Sequence, residues 1–195
     1  MKNLIVAFCL ICFYSAYNPS YAQESPIYDR AEDQLTNTDT IPDFRSKINK
    51  LKLTGVIYQS DGVTPAKDVI LFIEQPDENG DFDLRNTGDQ RYVFHRSWVK
   101  TDADGRYTFF TFIPGNDRRY NQMQQIFPII KEVSKAEVQL ESLLFDEDPM
   151  LTKRCRKQLV KNGNTSRILT TKKEDGILVA VKDIVLPADH TEPIK

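Results

Sequence analysis

Trp98-Val99-Lys100-Thr101, then Asp102-Ala103-Asp104-Gly105, then Arg106-Tyr107-Thr108-Phe109-Phe110-Thr111-Phe112 is the stretch whose reading decides the fold. Aromatic or β-branched residues occupy most positions on both sides of an Asp-Gly turn dipeptide, which is strand chemistry interrupted by a reversal. Two such runs joined by a short Asp-Gly loop predict a β-hairpin. Asp102 and Asp104 have the spacing of the first ligands of a calcium loop. The later ligands and the bidentate Glu are missing, so the carboxylates are read as turn chemistry.

Working outward, Leu51 to Tyr58 partly alternates apolar and polar residues and ends at the turn Asp61-Gly62, which predicts a strand. Asp68 to Gln75 carries a nearly continuous apolar run, as a strand in a sandwich core does. Pro76 to Arg91 is polar and loop-like, and Tyr92 to Thr101 reads as one strand. Beyond Pro114, a loop over Asn116 to Gln125 precedes a strand over Ile126 to Val133. Val138 to Phe145 reads as a further short element. Asp146-Glu147-Asp148-Pro149 reads as a solvated turn before a helix over Met150 to Lys161, where acidic residues suit the helix N-terminus. Ser166 to Thr171 and Ile177 to Leu186 close the set. Many short strands with one helix, in the C-terminal half, predict an all-β sandwich.

At the N-terminus Lys2, an apolar run from Leu4 to Phe13, and small residues at Ser20 and Ala22 form the layout of a signal peptide over residues 1–22. This leads us to expect a secreted or periplasmic protein cleaved near Ala22. The apolar run is too short to span a bilayer. Residues 23–50 have neither strand nor helix period and are expected as an extended, weakly ordered arm. The domain proper is placed at 51–186, followed by a polar tail at 187–195. A formal net charge of −2 gives no basic footprint for nucleic acid. Cys155 would be the one cysteine left after cleavage, so neither an internal disulfide nor a thiolate cluster is available.

Thr54-Gly55-Val56-Ile57-Tyr58, Asp61-Gly62, Pro65-Ala66, the run Arg96 to Phe109, and Leu144-Phe145-Asp146-Glu147-Asp148-Pro149 together resemble the intradiol ring-cleavage dioxygenases, particularly their secreted bacterial relatives. The resemblance covers roughly Leu51 to Leu186. It implies a transthyretin-like β-sandwich whose loops build an active site, where two tyrosines and two histidines hold a ferric ion that opens catechol rings with molecular oxygen. Phenolate is a hard anionic donor suited to that ion. The resemblance maps the first tyrosine onto Phe82 and the second near Asp117, with Tyr120 three residues on. Pro128 and Lys131-Glu132 fix the register that maps the two histidines onto Gln125 and Phe127. The family's arginine falls on Gln122.

Two function classes follow from these substitutions. In the first, the chain is a binding or structural module with no cofactor, in which Phe82, Tyr120 and Phe127 line a dry cleft for a small aromatic or apolar ligand, or the old metal pocket is simply filled core. In the second, it is an Fe(III) oxidoreductase whose site is rewired through Tyr120, Asp117, His95 and Gln125. A hydrolase has little behind it, because Ser97 and Cys155 lack a base partner by motif and the chain has two histidines.

Overall fold

The structure, a computed structural model, describes residues 25–188. The expected signal peptide and most of the tail therefore lie outside the described residues. Two sheets pack face to face. The first has the order β1(Thr38–Thr40), β7(Arg106–Phe112), β2(Lys50–Tyr58), β13(Ile177–Val181), β12(Lys172–Glu174), with β14(Ile184–Val185) also pairing β2. The second has the order β11(Ile168–Leu169), β10(Leu143–Phe145), β8(Gln125–Lys131), β3(Ile70–Glu74), β6(Arg96–Lys100), with β9(Val138–Gln139) on β8. A separate hairpin joins β4(Leu84–Thr87) to β5(Gln90–Val93). The single α-helix among the described residues, α1, is Lys153–Lys161.

Period-two burial explains the sandwich. Along β2 the odd positions Leu51, Leu53 and Ile57 are buried, and with Tyr107 and Phe109 of β7 they meet Leu71, Ile73, Val99, Ile126 and Ile130 of the other sheet. Gln75, fully buried, ties the sheets together: its Nε2 donates to Phe112 O at 3.0 Å and its Oε1 accepts from Thr111 Oγ1 at 2.6 Å. A buried amide with its donor and acceptor both engaged costs little to desolvate and fixes one registry between the layers.

Four expectations are corrected. The Asp102–Gly105 turn does not close a hairpin, because β6 pairs with β3 while β7 lies between β1 and β2 in the opposite sheet. The turn carries the chain across the sandwich. Asp102 Oδ1 accepts from the N–H groups of Asp104 and Arg106 and Oδ2 from Asn37 Nδ2, and the Arg106 N–H is the main cause that holds this carboxyl below its usual range. The stretch Tyr92 to Thr101 breaks at Phe94-His95 into β5 and β6, and part of the expected loop Pro76–Arg91 is strand β4.

The fourth concerns 23–50, whose described part is a coat rather than a weakly ordered arm. Ile27 and Leu35 are buried against Ile70, Phe72 and Trp98 on the outer face of the second sheet. Trp98 Nε1 donates to Pro26 O at 3.0 Å, and Arg96 pairs with Asp29. β1 adds in parallel to β7, and Asp39 Oδ2 accepts from Ser97 Oγ at 2.6 Å and Trp98 N at 3.1 Å.

Candidate functional site

Alternation along β8 puts Ile126, Pro128 and Ile130 into the core and Gln125 and Phe127 on the outer face. That face continues onto Glu74, the cross-strand partner of Phe127. Burial pushes the Glu74 carboxyl up, and Arg96 opposes the shift. Phe82 arrives from the loop between β3 and β4. Asp77 Oδ1 shapes this loop by accepting from Asn79 N at 2.8 Å and Asp81 N at 3.0 Å, while Gly80 turns it at φ +91. The Phe82 and Phe127 rings meet at 5.8 Å between centroids, inclined at 45°. Both are half-buried.

Residues 117–122 form the other side. Asp117 and Gln122 exchange backbone hydrogen bonds, both 2.8 Å, which closes a small loop with Tyr120 at its tip, 79% exposed. The Asp117 carboxylate, itself buried, takes the Arg119 guanidinium through Nε at 3.0 Å and a terminal nitrogen at 2.7 Å, with the Arg119 N–H at 2.8 Å. That side-chain contact is the main cause holding Asp117 below its usual carboxylate range. Arg119 also reaches Asp81 at 3.4 Å, and Gln122 Nε2 donates to Gly80 O at 3.1 Å. The loop is thus stitched to the residues just before Phe82. Gln125 Oε1 accepts from Ser142 Oγ at 2.9 Å, and that hydroxyl takes Arg167 at 2.5 Å.

Asp148 sets the loop's far end and was not legible as a functional position. Expected in a solvated turn at a helix start, it is instead 3% exposed and lies outside the helix, whose N-cap is Thr152. Its carboxylate accepts from Asn116 Nδ2 at 3.0 Å, Gln124 N at 2.7 Å and Met150 N at 2.9 Å.

His95 is enclosed by aromatic rings. Its ring is 3% exposed, packed edge-on against Phe94 at 5.2 Å and Phe112 at 5.0 Å, and neither nitrogen has a hydrogen-bond partner. Burial, with Lys47 second, lowers its pKa against the opposing pull of Asp83, Asp43 and Asp77. The unfolded chain therefore binds a proton near pH 6.5 that the folded chain refuses. The stability held by neutral His95 is complete above that value and falls as the pH drops below it. His95→Phe is expected to flatten the decline in melting temperature between pH 7 and pH 5.5, read by circular dichroism. A wild-type melting temperature that does not move over that interval would contradict this placement.

Among the described residues, no three His, Cys, Asp or Glu side chains are grouped so as to hold a metal ion. No helix there is long and apolar enough to cross a membrane.

The class defined by this geometry is a two-sheet β-sandwich with its loop cluster on the outer face of one sheet. More particularly, the fold is that of the intradiol ring-cleavage dioxygenases. The dioxygenase domain of a dioxygenase carbohydrate-binding protein fusion from Streptomyces sp. SirexAA-E superposes with a TM-score of 0.59 at 17% identity, over 78% of this chain and 87% of that one. An intradiol ring-cleavage dioxygenase from Tetranychus urticae gives 0.58 at 16% identity, over 84% and 92%. Catechol 1,2-dioxygenase from Acinetobacter sp. ADP1 gives 0.56 at 14% identity, with 77% of this chain covering 56% of that longer one. No family model matches the sequence, and no curated protein does.

Proposed function

We propose that this chain is a secreted, non-catalytic binding or structural module built on the intradiol dioxygenase fold. The observation that carries the reading is the contact of Phe82 with Phe127, two hydrocarbon rings at positions where the resemblance calls for a tyrosine and a histidine. The other two positions supply no free donor. Asp117 is spent on Arg119, and the Gln125 amide oxygen is spent on Ser142. A ferric ion requires hard anionic oxygen and imidazole donors, and this set does not fit it. The same side chains make a coherent structure of their own, an aromatic contact flanked by a charge-assisted loop clasp.

The rewired oxidoreductase finds less support. It requires Tyr120, Asp117, His95 and Gln125 to converge, yet Tyr120 sits exposed at a loop tip and His95 is enclosed by Phe94 and Phe112.

Oxygen consumption with catechol, measured on protein incubated with iron and on untreated protein, tests the reading. The expected rate equals the buffer blank in both. Iron-dependent uptake that Tyr120→Phe abolishes would replace the module reading with the rewired site.

A further inference from the structure

We propose that the groove beneath α1 binds a small amphipathic monocarboxylate, a ligand with a short apolar body and one anionic end. The inference deepens the binding-module reading and rests on it. The groove has a volume of about 410 Å³, at the small end of ligand sites. Met123, Leu144, Leu151 and Leu159 give it apolar walls, and the half-buried Cys155 adds a fifth soft surface. Leu144 pairs with Gln125 across β10 and β8, so the groove begins one strand away from the candidate site, on the same outer face.

The helix explains why this space is not filled. Within Lys153–Lys161 no residue is fully buried, so α1 rests on the body through Cys155 and Leu159, four residues apart on one face, without inserting a knob. Its sequence Lys-Arg-Cys-Arg-Lys-Gln-Leu-Val-Lys carries five cations and no acid. Arg156 is engaged by Asp146 and by Leu151 O at 3.1 Å, and Arg167, also lining the groove, is held by Glu141 and Ser142. Arg154 lines the groove with no ion pair or side-chain hydrogen bond among the described residues. An apolar slot with an uncommitted guanidinium at its rim complements a carboxylate carried on a hydrocarbon. A neutral hydrocarbon would leave the guanidinium unused.

Isothermal titration of the full chain with octanoate and with octan-1-ol tests this, using Arg154→Gln and, as a charge control off the groove, Lys161→Gln. Octanoate is expected to bind one site about fivefold tighter than octan-1-ol, the scale of an exposed ion pair. Arg154→Gln should bring octanoate to the affinity of the alcohol, and Lys161→Gln should leave it unchanged. Failure of octanoate to bind, equal affinity for the acid and the alcohol, or equal losses in the two variants would each overturn the proposal. Iron-dependent oxygen uptake with catechol would instead overturn the non-catalytic reading, so the two failures are separately visible.

Discussion

Asp148→Ala is expected to cost about 3 kcal/mol of stability and about 10 °C in melting temperature. The carboxylate is buried and collects three donors, the backbone N–H groups of Gln124 and Met150 and the amide of Asn116. Hydrogen bonds to a charged acceptor contribute roughly 1.5–3 kcal/mol each, and alanine removes the shared acceptor from all three donors. The loss has a local signature. Residues 116 to 124 are pinned at both ends by Asp148, so tryptic cleavage at Arg118 or Arg119 should accelerate in the variant. Asp148→Asn keeps the shape and one acceptor oxygen and should lose about half as much. A melting shift under about 2 °C for the alanine variant would mean that this carboxylate is solvated.

Gly55→Ala is expected to be comparably damaging, for a steric reason. An ideal Cβ at Gly55 would sit 2.0 Å from Lys182 O and 2.6 Å from its carbonyl carbon. Here the chain crosses from β13 to β14 over the centre of β2, held by Lys182 N donating to Thr54 O at 2.8 Å and Val56 N donating to Asp183 Oδ1 at 2.9 Å. Tyr107, 1% exposed, donates its hydroxyl to the same Lys182 carbonyl at 2.6 Å. The obstacle is backbone, with no rotamer that swings away, so a methyl group must push the crossing off the sheet and break these bonds. Overpacking of this kind costs about 3 kcal/mol, the upper part of its usual range. Denaturant unfolding of Gly55→Ala with a midpoint equal to the wild type would show that the crossing yields freely.

Much of this architecture was written in residue periodicity. The partial alternation of Leu51 to Tyr58 and the aromatic density of Arg106 to Phe112 found their strands because each run must serve one buried face. Which strands β6 and β7 each pair with was not readable. Asp102-Ala103-Asp104-Gly105 encodes a reversal through its own carboxylate and Gly105, and nothing local says whether the next strand returns to the same sheet. The coat over residues 25–36 was invisible for a related reason. Ile27 and Leu35 are single apolar residues in polar surroundings, buried by the sheet they land on rather than by a repeat of their own.

The candidate site divides the same way. The resemblance supplied positions 82, 117, 122, 125 and 127, and the fold joins Phe82 to Phe127 and ties 117 and 122 to residues 80 and 81. What each side chain bonds there depends on partners far away in sequence, such as Ser142 for Gln125, or on loop curvature, as with Arg119 folding back onto Asp117. An acidic run such as Asp146-Glu147-Asp148 gives no sign of which carboxylate is drawn inside.

The most direct test of the proposal that the sandwich carries an aromatic contact and a charge clasp at the positions the resemblance maps onto iron ligands is iron content with a visible spectrum on folded protein supplied with ferric ion and desalted. The expected result is a colourless, cooperatively melting protein with far less than one iron per chain. One iron per chain with a broad visible band from phenolate coordination, lost in Tyr120→Phe, would contradict the account.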